Sequence, residues 1–460
     1  MKEEFDSNKY ILIDEKDNVL VSRDDFHKYA RRKIKKGEKV IKYGCPIGTA
    51  TKDIEISEHV HTHNLATSLN ERENYSYNPV LFEEKPSKPA EISAYVRKDG
   101  RIGIRNDILI IPTVGCVNSL ANRLASLSGA FALSHPYGCS QLGDDHERTQ
   151  KILCSLIKHP NAGGVLVLGL GCENNNIPSL KEKLGEFDSE RILFLNAQDA
   201  SDEIEEGLKL LEELKEKAKS DVRKKVPFSK LVIGLKCGGS DGFSGITANP
   251  LVGRFTDIAV SQKASCVLTE VPEMFGSEQI LMNRCVDYAT YSKTVEMINS
   301  FKDYFVSHSQ PVSENPSPGN KQGGITTLEE KSLGCIRKGG NAPVTDVLSY
   351  GETVKKSGLN LLDGPGNDIV AVTNLAAAGC HLILFTTGRG TPLGSFVPTV
   401  KISTNTSLFE KKNNWIDFDA ESMGTDELFS LVIETANGKK TKNEINNYRE
   451  IAIFKDGVTL

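Results

Sequence analysis

Residues 230–242 read KLVIGLKCGGSDG. An almost unbroken apolar run ends at Lys236 and Cys237, and a glycine-rich polar turn follows. Such a run suits a strand covered on both faces, because a strand open to water on one side alternates apolar with polar residues. The same grammar returns in DILIIPTVGCVN at 107–118, GVLVLGLGCENN at 164–175, RILFLNAQD at 191–199 and SCVLTEVPE at 265–273. Helical segments stand between these runs. In EIEEGLKLLEELKEKAKSDV, 203–222, Leu208, Leu211 and Leu214 fall near one face. Strands alternating with helices predict an α/β fold with mainly parallel sheets. Ligand sites in such sheets form at the carboxyl ends of the strands. Those ends are where this chain keeps its Cys, Asn, Glu, Ser and Asp.

Outward from this core the grammar changes. Residues 1–75 carry short alternating runs broken by Gly and Lys, the pattern of a small antiparallel β unit. Residues 76–95 hold three prolines and little periodicity, and read as a linker. An α/β domain is expected over 96–304. Residues 305–350 are rich in Pro, Gly, Ser and Asn and read as an irregular segment of the functional or linker kind. A further α/β unit is expected over 351–460.

The chain has 460 residues, 38% hydrophobic and 25% charged, with a net charge of −5. This composition suits a soluble globular protein. The densest basic run, RRKIKKGEK at 31–39, reads as a solvated face, which argues against a nucleic-acid partner. The N-terminus has no signal-peptide pattern, and no apolar run approaches the ~20 residues of a membrane span. A cytoplasmic location is expected, with the ten cysteines as thiols rather than disulfides. Cys116, Cys139, Cys172, Cys237, Cys335 and Cys380 each adjoin a glycine. A homo-oligomer is left open.

Several stretches are dense in chemistry. HVHTHN at 59–64 places His59, His61 and His63 at alternate positions, on one face if the segment is a strand. Neutral imidazole suits iron, zinc or manganese. Side chains on a flat strand diverge, so one or two of the three suit a single ion better than all three, and a polar strand edge is the plain alternative. In DGRIGIRND, Arg105 could match a carboxylate bidentately, with Asn106 beside it. HPYGCSQLGDDHERT at 135–149 offers His135, and GLGCENN offers Glu173 after a buried strand. In LKCGGSDGFSG, Lys236 is a candidate base or electrostatic stabiliser. Gly238, Gly239, Ser240, Asp241 and Ser244 form a candidate anion nest, against the alternative of a sharp strand-to-helix connection. Thr386 and Thr387 in FTTGRGTPLG lie in a second such turn.

These blocks carry a resemblance. KGEKVIKYGCPIGTATKDIEISEHVHTHN is similar to the SAF (β-clip) domain of sugar-acid dehydratases. YVRKDGRIGIRNDILIIPTVGCVN, HPYGCSQLGDDHERT, VLVLGLGCENN, LKCGGSDGFSGITANP, NPSPGNKQGGITTLEEKSLGCIRKGG and LLDGPGNDIVAVTNLAAAGCHLILFTTGRGTPLG resemble the large-domain signatures of the altronate/galactarate dehydratase family. The resemblance runs from about residue 27 to past 400. It implies loss of water from a polyhydroxy acid to give a 2-keto-3-deoxy acid, with a divalent metal, Fe2+ or, alternatively, Mn2+. It also implies that the histidine segment belongs to an active site, since a related sulfolyase carries its SAF-like part as a separate small subunit. Residues 1–75 depart from the family pattern: DNVLVSRDDF runs directly into HKYARRKIKKGE, and about 30 residues of the SAF domain, a loop-scale length, are absent.

The α-proton of a carboxylate is very weakly acidic, and its removal leaves a dianion that a metal or cations must hold. His59, His61 and His63 are candidate metal ligands, with His61 also a candidate acid. Arg105, Asn106, the 238–244 turn, Thr386 and Thr387 are candidate substrate contacts. His135, Lys236 and Glu173 are candidate bases. Two other classes stay open: an iron–sulfur dehydratase using Cys116, Cys139, Cys172 or Cys237, and a non-catalytic sugar-acid-binding protein.

Overall fold

The computed structural model describes residues 5–69, 73–83 and 88–460, and counts of elements and contacts refer to those residues. At the centre lies a seven-stranded parallel sheet. Its order is Val344–Leu348, Gly358–Leu362, Ser265–Leu268, Val232–Cys237, Leu382–Thr387, Thr399–Ser403 and Phe418–Asp419. The apolar run quoted first is its middle strand, buried from Ile233 through Cys237. Leu251, Val252 and Phe255 of the helix Ala248–Ser261 cover one face, and Val372, Leu375 and Ala376 of Asp368–Ala377 cover the other. Burial on both faces is why this strand shows no alternation.

A second parallel sheet has four strands, in the order Phe131–Ala132, Asp107–Pro112, Ala162–Gly169 and Ile192–Asn196. The helix Glu203–Lys219 packs Leu211 and Leu214 beneath it. Asp202 caps that helix by accepting the N–H groups of Ile204 and Glu205 at 3.0 and 2.9 Å. A three-stranded antiparallel sheet of Arg223–Pro227, Glu91–Val96 and Ile102–Gly103 joins the two units.

The expected domain limits need redrawing. The central sheet draws strands from both sides of residues 305–350, so 96–304 and 351–460 are not separate units. The segment 305–350 is also not irregular: it contains the helices Pro318–Gln322 and Leu328–Cys335 and the edge strand Val344–Leu348. The expected linker ends inside a strand, Glu91–Val96. Tyr77 anchors its early part by donating to the Cys285 carbonyl at 2.9 Å. Strand partners are chosen by distant chain segments, which local composition does not encode.

The N-terminal unit is two small antiparallel sheets, one of Tyr10–Ile11, Val19–Ser22, Lys28–Ala30 and His59–Val60, the other of Lys39–Lys42, Cys45–Ala50 and Leu65–Ala66. It docks on the helix Leu328–Cys335. Glu330 there receives Lys28 Nζ at 2.8 Å and Lys42 Nζ at 2.9 Å, with all three side chains buried. Glu329 accepts the Ser68 N–H at 2.6 Å. Gly242 lets the Phe26 carbonyl of the β unit come close: a Cβ at position 242 would lie 1.9 Å from that oxygen.

Candidate active site

A cleft of about 1230 Å³ opens at the carboxyl ends of the central strands, with Cys237, Glu273, Lys331, Asp368 and Arg389 among its lining residues. Each comes from a different place in the chain. Lys236 and Cys237 end the middle strand, and Asp368 begins the helix that follows Gly358–Leu362. Glu270 and Glu273 follow Ser265–Leu268. Glu270 has φ 73° and ψ 62°, a left-handed backbone uncommon off glycine; this turns its carboxylate back to accept the Cys237 N–H at 3.2 Å. Lys331 and Cys335 come from Leu328–Cys335, the helix on which the N-terminal unit docks.

The groups interlock. Lys236 Nζ pairs with Glu270 and, at 2.8 Å, with Asp368 Oδ1. Lys331 Nζ lies 2.8 Å from Glu273 Oε1 and donates to Asn315 and Asn320 at 3.0 and 3.1 Å. Lys338 Nζ sits 2.8 Å from Cys237 Sγ. The Cys237 and Cys335 sulfurs are 3.4 Å apart, and each is 3.1 Å from Glu273 Oε2. The Cys335 thiol, with Lys338 and Lys236 nearby, pulls the Cys237 thiol down to about 6 against burial and the Glu273 charge. Burial alone would lower Lys236, but Glu270, Asp368 and Glu273 outweigh it and hold the amine well above its usual range.

Lys236 is therefore an ammonium locked between carboxylates, which speaks against the base and for the electrostatic stabiliser among its expected roles. Two sulfurs and one carboxylate form a donor set that suits iron or zinc. Among the described residues, Cys237, Glu273 and Cys335 are the group whose ligand atoms all lie within 4.8 Å of one another, within reach of one ion at metal–sulfur distances of about 2.3 Å.

The histidine segment is arranged otherwise than alternation predicts. The strand stops at Val60, and His61–Asn64 form a turn closed by His61 N–H donating to Asn64 Oδ1 at 2.9 Å. The rings still gather: His59 lies 5.4 Å from His61 and 5.6 Å from His63, centroid to centroid. His27 joins them, its Nδ1 2.9 Å from His59 Nε2. The nitrogens of His59, His61 and His63 do not meet at single-ion distance, because the turn splays them. His61 Nε2 instead meets the Lys321 carbonyl at 2.8 Å, on the segment that rims the cleft. Burial, then the neighbouring His27 and His61, pushes His59 down to about 4, and burial also lowers His61.

Other expected contacts are engaged within the fold. Arg105 forks onto Glu444 at 2.6 and 2.9 Å and donates to the carbonyls of Ile104, Thr435 and Lys439, leaving no face for substrate. Asn106 spans Arg97 and the Ala218 carbonyl. His135 has both ring nitrogens occupied, by the Pro112 carbonyl and the Tyr137 N–H, and burial lowers its pKa. Glu173 accepts from Thr113 and from the Leu170 and Gly171 N–H groups. Those bonds outweigh burial and keep it ionised.

Most of the turn after Cys237 is closed as an anion nest. The N–H groups of Gly238, Asp241, Gly242, Phe243 and Ser244 all bond within the protein. Asp241 braces the turn through Ser244 and Thr404, and the Ser240 carbonyl receives Asn320. Gly238 and Gly239 do line the cleft. A Cβ at Gly238 would lie 2.7 Å from the Asp368 carboxylate. Thr386 donates to Asn249, and Thr387 accepts the Gly390 N–H.

Three family matches tile the chain: Altronate/galactarate dehydratase SAF domain over 24–68, D-galactarate dehydratase/Altronate hydrolase second domain over 94–219, and D-galactarate/Altronate dehydratase C-terminal over 228–459. The chain belongs to the altronate/galactarate dehydratase family. Two altronate dehydratases resemble it: that of Bacillus subtilis (strain 168) is 50% identical over 98% of this chain and 99% of its own length, and that of Escherichia coli (strain K12) 52% identical over 94% and 92%. The galactarate dehydratase (L-threo-forming) of Escherichia coli (strain K12) is 30% identical over 93% and 89%. The Bacillus alignment runs over 495 positions, more than the 460 residues here, so this chain carries gaps against it. Like its family, the chain is a sugar-acid dehydratase, a carbon–oxygen hydro-lyase, and the cleft is where its donors, cations and thiols converge.

Sequence reasoning missed Glu270, Glu273, Lys331, Cys335, Lys338 and Asp368 as individual residues. The blocks NPSPGNKQGGITTLEEKSLGCIRKGG and LLDGPGND were legible as family signatures, TEVPE only as the polar end of a strand run, and Cys335 stood out by its neighbouring Gly334. Nothing in their spacing says that they meet.

Proposed function

We propose that this dehydratase converts altronate, or an aldonate of the same kind, to its 2-keto-3-deoxy acid in the cytoplasm. The supporting observation is the cleft floor, where Cys237, Glu273, Lys331 and Asp368 from four chain segments line one cavity, with Lys236, Glu270 and Cys335 bonded to them from behind. Arg389 takes the substrate carboxylate; Lys331, whose three N–H donors are spent on Glu273, Asn315 and Asn320, adds its charge against the build-up of the dianion. Asp368, held by Lys236 at 2.8 Å, removes the α-proton. Gly238 leaves room for that carboxylate at the cleft wall. His61 fixes the rim through the Lys321 carbonyl, so the N-terminal unit shapes the cleft.

In this reading Cys237, Glu273 and Cys335 would hold the divalent metal, and their two sulfurs suit Fe2+ better than Mn2+. When bound, it supplies Lewis acidity toward the departing β-hydroxyl. Lys338 beside Cys237 and Lys331 beside Glu273 favour the ionised form of those two donors, whereas the Cys335 thiol, raised well above its usual range by Cys237 and by burial, would have to release its proton to bind a metal.

The test is to incubate the anaerobic protein with Fe2+ or Mn2+ and a panel of altronate, galactarate and related aldonates, measuring 2-keto acid. Turnover of altronate above the diacid is expected. A chain that releases no 2-keto acid from any member of the panel would end the proposal.

A further inference from the structure

The four-stranded sheet carries a second chemical centre that the cleft does not use. Cys116, Cys139 and Cys172 are all exposed and follow three neighbouring strands, Asp107–Pro112, Phe131–Ala132 and Ala162–Gly169. Pro112 pairs with Leu168, so Cys116 and Cys172 stand at the same offset beyond paired residues. The three loops are knitted together. Gly115 donates to the Tyr137 carbonyl and Asn175 to the Gly138 carbonyl, both at 2.9 Å. Asn175 Nδ2 reaches the Thr113 carbonyl, and Asn118 Nδ2 reaches the His135 carbonyl, each at 2.9 Å.

Two further observations point to a missing ligand. First, buried polar atoms without a partner gather in these loops and at this sheet end: the donor Gln141 Nε2, which a cluster sulfur can accept, and the acceptors Asn118 Oδ1, Asn175 Oδ1 and Asn196 Oδ1, which need a donor or a cation instead. Gln141 and Asn175 are 4% and 0% exposed. Buried polar groups are ordinarily paired, so such a cluster needs an explanation. Second, the helices Asn118–Ser128, Gly143–Ile157 and Ile177–Leu184 each begin shortly after one of the three cysteines. Their positive ends favour an anionic occupant.

We propose that Cys116, Cys139 and Cys172 ligate an iron–sulfur cluster, leaving one iron open to a substrate or effector oxygen. The three sulfurs do not lie within single-ion distance of one another. A cluster suits them because it spreads its thiolates across several irons. Each thiol releases its proton to solvent on binding. His135 and Glu173 are then positioning residues, tying these loops to the strand ends through Pro112 and Thr113. The assignment does not depend on which metal, if any, occupies the cleft.

The full chain, purified without oxygen and reconstituted with ferrous iron and sulfide, tests this. Matching iron and acid-labile sulfide, with visible absorption, are expected. Both should fall several-fold in Cys116→Ser, Cys139→Ser and Cys172→Ser and persist in Cys237→Ser. Because a variant could misfold, alkylation of the wild-type chain is a second measure: the three cysteines should be shielded from iodoacetamide until the cluster is removed. Absence of labile sulfide, or three cysteines equally reactive before and after reconstitution, would overturn the proposal. Loss of the cluster from Cys237→Ser alone would move the site to the cleft.

Discussion

Glu330→Gln should detach the N-terminal unit from the catalytic body. The carboxylate receives Lys28 at 2.8 Å, Lys42 at 2.9 Å and the Thr326 N–H at 2.8 Å, in a buried pocket. Burial opposes its ionisation, but the two ammoniums prevail and bring it from 4.5 to about 2. That difference corresponds to about 3 kcal/mol of stability. Gln keeps the shape and leaves two buried cations facing a neutral amide, and breaking a buried ion pair in this way costs about 3–5 kcal/mol. Lys28, lowered by burial to about 8, is the partner that would give up its proton. Denaturant titration with limited proteolysis of residues 73–83 reads the outcome: earlier cleavage there and loss of turnover, since the same helix carries Lys331 and Cys335. Replacing all three residues by Met should restore most of the stability, because an apolar triad carries no desolvation penalty. A Glu330→Gln protein within about 1 kcal/mol of wild type would refute the reasoning, since removal of one partner is what exposes the penalty. The sign with pH follows. A depressed carboxyl stabilises fully above pH 4.5 and loses its contribution as pH falls from there to about 2, so docking should fail in acid.

Arg105→Met should lower stability by about 3–5 kcal/mol, the cost of leaving buried Glu444 unpaired, without moving KM in the folded fraction; a KM effect alone would return Arg105 to the substrate site. Arg389→Ala should raise KM for the sugar acid by about tenfold, as loss of one exposed charge-assisted contact does, and an unchanged KM would remove it from recognition. Glu273→Gln should lower bound divalent metal and turnover together, whereas His59→Ala with His61→Ala should spare the metal. Metal analysis of both proteins decides between the two donor sets. Gly242→Ala should weaken docking of the N-terminal unit by about 1–3 kcal/mol through overpacking against the Phe26 carbonyl, read by the same proteolysis assay.

The candidate site was legible in blocks rather than in atoms. Cys237 and the turn after it stood out because a polar, glycine-rich end on a buried strand is chemically costly and rarely accidental. For Lys236 the sequence left base and electrostatic stabiliser open, because its partners Glu270 and Asp368 lie 34 and 132 residues away. Arg105 looked like a carboxylate binder and is one, but the carboxylate is the protein's own Glu444. His59, His61 and His63 do cluster, though a turn rather than a strand brings them together.

The apolar runs and their spacing were enough to determine a parallel α/β core behind a small β unit, because burial on both faces leaves a direct mark on residue order. Only the tertiary structure decided the rest. It showed one seven-stranded sheet drawing from both sides of residues 305–350, a glycine-rich segment that became two helices, and a helix that joins the β unit to the cleft. These depend on which distant groups neutralise one another in the interior. A lysine's charge is written in the chain, but the carboxylate that keeps it there is chosen by the fold.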